Sequence, residues 1–394
     1  MNESLTADAF TWPGWRGVAR DGHVGWLPER LPAHPAVVWR HPLSGNGVGG
    51  IAATRERVVV SDRDLADVCD VFHCLDAKSG REMWTCRYPA PGKLDYGNSP
   101  RATPLFYGDH VFLFGAFGHL TCVELATGIV AWQFDVRDTF DITSKMPWGL
   151  CGSPLIAAGR LVVNPGGKLA SLVALQPLTG EVDWKTRGRP AAYGSFIAAQ
   201  LGGKLQLVGY DESSLGGWDA VTGKRLWTLT PEYPNDFNVP TPLVHRGQLL
   251  VSTENNGTRM YGFTAEGKIE KKPIAVCADL APDTQTPVIA NDRLFGVAHE
   301  LYCLDLKNNL KTLWTGTDPA FQSHASLVAT DERLLVWSAA GELVLIDATA
   351  DEMKLTGRFA VLSDESDLLA HPAFVDKQVY IRAPSEVMCL SLVS

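Results

Sequence analysis

The sequence predicts an all-β fold: an eight-bladed β-propeller with four antiparallel strands per blade, its last blade closed by a strand from near the N-terminus. Three observations carry that expectation. A hairpin with Gly at its turn and Trp in the following strand recurs along the chain. The copies are evenly spaced. Unpaired strands remain at the two ends of the repeating region, and each supplies what the other lacks.

The hairpin reads CLDAKSGREMW at 74–84, CVELATGIVAW at 122–132, ALQPLTGEVDW at 174–184, GWDAVTGKRLW at 217–227 and CLDLKNNLKTLW at 303–314. Gly80, Gly128, Gly180 and Gly223 stand where a tight turn demands positive φ, and Asn308-Asn309 take that place in the fifth copy. Two degenerate copies lack the Trp, GFTAEGKIEKK at 262–272 and LIDATADEMKLTGRF at 345–359. Trp39, Trp84, Trp132, Trp184 and Trp227 are 45, 48, 52 and 43 residues apart, and Trp314 follows 87 later, two steps with one Trp missing. A period of about 40–45 residues with four short strands is the mark of a propeller. Each unit must stack on neighbours to bury its sheet faces.

Upstream of each hairpin lies another, as in TPLFYGDHVFLFG (103–115), SPLIAAGRLVVN (153–164), TPLVHRGQLLVST (241–253) and TPVIANDRLFGVA (286–298). Each is an apolar run, a polar turn and a second, alternating run. The last unit, ending in EVMCLSLV (386–393), supplies three strands, and AVVWRHPL (36–43) is an orphan fourth with its own Trp39. Joining them closes the ring and removes its free edges. Residues 1–35 then form an extension packing on the propeller, and residues 36–394 the propeller itself. No helix is expected.

The 394 residues carry a net charge of −9, with 45% apolar and 20% charged residues. This is a globular composition, and its acidity argues against a nucleic-acid partner or an anionic membrane surface. No run of about 18 apolar residues is present to span a membrane. The opening MNESLTADAF has no cationic and apolar leader, so a cytoplasmic location is expected, or a periplasmic one if a signal has been trimmed. None of the eight cysteines forms CxxC or CxxCH, which removes the common zinc, thioredoxin and haem spacings and leaves buried thiols. A monomer is expected.

The xLDxxTGxxxW hairpin resembles the repeat of quinoprotein dehydrogenases and of outer-membrane assembly scaffold propellers, over residues 36–394. WPGWRGVARDG (12–22) and YGNSPRATP (96–104) are similar to a subgroup of pyrroloquinoline-quinone-like propeller proteins. The resemblance implies two activities: a non-catalytic scaffold that binds through its axial face, or a dehydrogenase holding pyrroloquinoline quinone with Ca²⁺ in an axial pocket. The chain departs from the dehydrogenase pattern in having neither adjacent cysteines nor a haem motif. A hydrolase or lyase with His324 or His371 as base is a third reading.

Position names the candidate site. The loop before each innermost strand points at the axis, and these loops carry Asn46, Arg101, Trp148, Tyr193, Asn238, Gln285, His324 and His371. Arg101 can clamp a carboxylate and Trp148 can stack on a flat ring, so a protein partner or a small acidic or aromatic ligand is expected. GNGVGG (45–50) matches a dinucleotide fingerprint, but IAATRERVVVSD after it reads as strand, turn, strand rather than helix, leaving a flexible connection. His299-Glu300 is a lone dipeptide on a turn. Asp76, Asp219 and Asp305 are expected to cap the hairpin turns.

Overall fold

The computed structural model describes residues 11–45, 47–362 and 368–393. Eight four-stranded antiparallel sheets follow one another around a ring. Blade 1 spans residues 52–89, blade 2 105–135, blade 3 155–186, blade 4 197–229, blade 5 243–277, blade 6 288–316 and blade 7 325–360. Blade 8 is built from 373–391 and closed by Ala36–Pro42, which pairs antiparallel with Glu386–Ser391 and sets Trp39 opposite Cys389. The N-terminal strand closes the ring as the sequence predicts.

The Gly/Trp hairpin proves to be a joint between blades. The Trp39 indole N–H donates to Ala77 O at 2.9 Å, Trp84 to Leu125 O at 2.8 Å, Trp132 to Pro177 O at 3.0 Å and Trp314 to Ala350 O at 3.1 Å. Each indole of one blade thus docks on the hairpin turn of the next. Gly80, at φ 68°, lies so close under Trp39 that a Cβ there would sit 2.5 Å from the ring. Glycine is required both for the left-handed backbone and for the approach. Trp39, Trp84, Trp227 and Trp314 are buried, while Trp132 and Trp184 are half-buried. At Asp76, Asp219 and Asp305 the carboxylates accept from Ser79 N, Thr222 N and Lys307 N, capping the turns.

Three local features differ from expectation. Blade 5 does not place its fourth strand at IEKK: Phe263 bridges Ile269, and the strand forms at Ala275–Cys277. A helical turn at Val136–Thr139 and a 3-10 turn at Pro319–Phe321 interrupt the all-strand pattern, capped by Asp135 and Asp318. The glycine-rich stretch before blade 1 is pinned: the buried Arg382 donates to Gly45 O at 2.7 Å and Gly47 O at 3.1 Å.

An inner belt holds the blades near the axis. Thr103 N donates to Ser153 Oγ, Ser153 N to Ser195 Oγ and Thr241 N to Thr286 Oγ1, each at 3.0 Å. These hydroxyls stand just before the innermost strands of blades 3, 4 and 6, so one residue position satisfies the amide of the preceding blade.

Candidate axial binding site

The channel at the centre of the ring is filled by the chain itself. Trp12 pairs with Ala53 through both main-chain groups, at 2.9 and 2.8 Å, and Phe106 N donates to Pro13 O at 2.8 Å. The chain turns back through left-handed residues Arg16, Gly17, Arg20 and Gly22. It leaves with Val24 N donating to Ala329 O at 2.8 Å. Residues 11–24 are therefore a hairpin inserted along the axis.

Side chains fasten this hairpin. Trp15 Nε1 donates to Thr241 Oγ1 at 2.9 Å. The buried Arg16 guanidinium donates to Pro287 O at 2.8 Å and to Thr286 O at 3.3 Å, and Arg20 donates to Pro154 O at 2.7 Å and Ser153 O at 3.1 Å. These bonds reach blades 3, 5 and 6, and the main-chain pairs reach blades 1, 2 and 7. Burial pushes the Arg16 pKa down to about 10 and that of Arg20 to about 9. Both remain cations at neutral pH, solvated by carbonyl dipoles in place of water.

The loop residues expected at the axis divide into two groups. On the side of blades 2 to 5, Trp148 packs against Tyr193 with ring centroids 4.4 Å apart, and Phe237 lies 4.9 Å and Tyr96 5.9 Å from the same indole. Tyr96 and Phe237 are 73% and 50% exposed, so the four rings present an apolar surface to solvent. Arg101 borders it. Its Nε donates to Trp148 O at 3.2 Å, Nη1 to Ser99 O at 3.1 Å, and Nη2 to Asp95 O and Gly97 O, both at 2.7 Å. The guanidinium thus ties the loops of blades 2 and 3 together through main-chain carbonyls. Asn238 is buried beside the rings at φ 56°.

On the side of blades 6 to 8, Gln285 Nε2 donates to Ser323 O at 3.2 Å, and the Thr284 hydroxyl lies 3.2 Å from His324 Nδ1. His371 is buried under the inserted hairpin, stacked on Trp12 at 5.6 Å and edge-on to Trp15 at 5.4 Å. Its Nδ1 lies 2.9 Å from Pro372 O; a carbonyl can only accept, so Nδ1 carries the proton and Nε2 is bare. Burial and the Arg16 charge push the His371 pKa down to about 3, and burial pushes His324 to about 4. Asn46 lies outside the described residues. His299 and Glu300 do not converge on a ligand: Gln322 Nε2 donates to the His299 carbonyl and Tyr302 to the Glu300 carboxylate.

Position alone missed Tyr96, Phe237 and the whole hairpin. A signal for the aromatics was present, since Trp148, Tyr193 and Phe237 each stand a few residues ahead of the inner-belt hydroxyl in successive loops.

Comparison with known proteins agrees with the architecture. A family model described as outer membrane protein assembly factor BamB matches residues 31–144 and 71–315. The 1-butanol dehydrogenase (cytochrome c) of Thauera butanivorans is 25% identical over 254 residues, 64% of this chain and 30% of that one. The dehydrogenase subunit of a quinone alcohol dehydrogenase from Gluconacetobacter polyoxogenes is 24% identical over 260 residues, 61% of this chain and 34% of that one. The aligned parts are about a third of these relatives' lengths. Among solved structures, the quinohemoprotein alcohol dehydrogenase of Comamonas testosteroni superposes with a TM-score of 0.70 at 13% identity, covering 98% of this chain and 81% of that one. BamB from Moraxella catarrhalis superposes with a TM-score of 0.64 at 13% identity, covering 91% and 100%.

Proposed function

The chain belongs to the propeller family described as outer membrane protein assembly factor BamB, and from that membership we propose that it is a non-catalytic scaffold whose axial face, on the side of the loops that carry Tyr96, Trp148, Tyr193 and Phe237, binds a protein partner. The observation that carries this reading is the hairpin of residues 11–24, which fills the axis and leaves the exposed rings of Tyr96 and Phe237, backed by the half-buried Trp148 and Tyr193, as the candidate contact surface. Exposed aromatic clusters of this kind are typical anchors of protein interfaces. Arg101 serves as a brace for that surface, its donors being spent on carbonyls.

The dehydrogenase reading draws support from the two curated relatives. Pyrroloquinoline quinone with Ca²⁺ would require an axial cavity, cations with free donors for its carboxylates, and an oxygen-rich ligand set. The described residues do not fit these needs: Arg16 and Arg20 turn to main-chain carbonyls, and Trp12 and Trp15 occupy the space over His371. The same cover sets His371 away from any substrate as a hydrolytic base. No helix among the described residues is long and apolar enough to cross a membrane. The eight cysteines are all free.

Two measurements test the proposal. Titration with the quinone and Ca²⁺, followed by absorbance, should give no saturable one-to-one complex; such a complex with alcohol-dependent dye reduction would overturn it. Quantitative affinity capture from the source cells should recover a partner with the native chain that is lost with Tyr96→Ala/Phe237→Ala. Identical recovery by the two would reject the aromatic face as the contact.

A further inference from the structure

We propose that His41, His73 and Glu82 form a divalent transition-metal site, best suited to Zn²⁺, that pins the ring-closing strand to blade 1. The three residues come from different strands. His41 lies on Ala36–Pro42, His73 on Cys69–Asp76 and Glu82 on Glu82–Pro89. Ring closure brings them together: on the closing strand, Trp39 docks on Gly80 of blade 1, and His41, two residues on, leans toward the same blade.

The ligand atoms of all three lie within 4.8 Å of one another. His73 Nδ1 is 2.7 Å and His41 Nε2 3.8 Å from Glu82 Oε2, and the two imidazole centroids are 5.6 Å apart. Bonds of about 2.0–2.2 Å to a tetrahedral zinc place its ligand atoms roughly 3.3–3.5 Å from each other. A small rotation of the exposed Glu82 carboxylate and a slight closing of the His41 ring therefore suffice. Two imidazoles and one carboxylate match the preference of Zn²⁺ and neighbouring metals over Ca²⁺ or Mg²⁺.

A second observation concerns the far side of His73. Its Nε2 faces Asp62 Oδ2 at 3.5 Å, and Asp62 is fully buried. A metal on Nδ1 fixes the tautomer with the proton on Nε2, pointing at that carboxylate. Carboxylate–histidine–metal relays of this form are the usual support of histidine ligands. Asp62 is itself held by Ser44 N at 2.6 Å and by Arg382 Nη2 at 3.4 Å. The relay thus continues into Arg382, which belongs to blade 8. His41 and His73 are largely covered and Glu82 is 43% exposed, so the fourth coordination position opens to water. A bound cation would cross-link blade 8 to blade 1 at the one seam where the two ends of the repeating region meet.

The test uses the full chain, stripped with chelator and titrated with ZnCl₂ by calorimetry. One equivalent should bind and raise the melting temperature. His41→Gln and Glu82→Gln should each weaken binding at least tenfold while leaving the metal-free melting temperature close to that of the native chain. Asp62→Asn should weaken it about 10- to 100-fold without removing a ligand. X-ray absorption of the zinc-loaded protein should show nitrogen and oxygen neighbours with an imidazole pattern. Zinc–sulfur scattering, native affinity in both glutamine variants, or no stoichiometric binding would each overturn the assignment.

Discussion

At the rim of the propeller, Gly80, Gly128 and Gly180 each lie beneath the indole of the preceding blade, and the same N–H to carbonyl bond recurs. The segment at the axis follows no such period. Trp12 meets blade 1 through its main chain, Trp15 meets blade 5 through its indole, and Arg16 and Arg20 meet the carbonyls ahead of blades 6 and 3. The rim solves one packing problem several times with one motif. The axis is a single asymmetric object held by an irregular segment. Function should follow that division, because only the irregular part distinguishes one sector of the ring from another.

The largest effect is expected from breaking the axis. A chain beginning at residue 25 leaves the carbonyls of Ser153, Pro154, Thr286 and Pro287 without their guanidinium donors and uncovers His371. We expect a loss of at least about 5 kcal/mol in urea unfolding. A loss smaller than that of a rim substitution would invert the comparison.

At the rim, Trp84→Ala should cost about 3–5 kcal/mol. The half-buried Trp132 should cost less when replaced the same way, which matched urea titrations would show. Equal losses would mean that the hydrogen bond to the next turn, rather than burial, sets the strength of the joint.

Acid should weaken the axis more than the rim. His371 titrates near 3 in the folded chain and at about 6.5 when unfolded. The unfolded chain therefore binds the extra proton between those values. The contribution is complete above about pH 6.5 and is lost as pH falls toward 3, by up to roughly 1.4 kcal/mol per pH unit. Asp70, which burial raises to about 6 against the pull of Arg63, works in the opposite direction. The histidine's share is thus the difference between the native chain and His371→Asn, measured from pH 7 to 5. Parallel curves would contradict the buried neutral imidazole.

The smallest effect on stability belongs to the aromatic cluster around Trp148. Phe237→Ala should change the unfolding free energy by less than about 1 kcal/mol, since the ring is 50% exposed, and should abolish partner capture. A large loss of stability with capture intact would make the aromatic cluster a structural element.

The sequence made the rim legible because one geometry, written repeatedly, leaves a period that single substitutions cannot hide. Blade closure was legible for the same reason, through Trp39. The fourth strand of blade 5 was not: without a Trp to mark it, the bridge from Phe263 to Ile269 shifts the strand to Ala275. The axial loops were placed by topology, yet their roles were not. Arg101 and Arg16 bind main-chain carbonyls, which every sequence offers equally. His41, His73 and Glu82 share no motif spacing because strand closure, not sequence proximity, assembles them.

The central claim, that residues 11–24 fill the axis, is tested most directly by amide hydrogen exchange on the full chain. Trp12 N, Gly22 N and Val24 N donate to Ala53 O, Arg16 O and Ala329 O at 2.9, 3.0 and 2.8 Å. They should exchange as slowly as the innermost strands of blades 1 and 7. Exchange of these three amides at the rate of an unstructured peptide, with the strands still protected, would mean an open channel and would contradict the account.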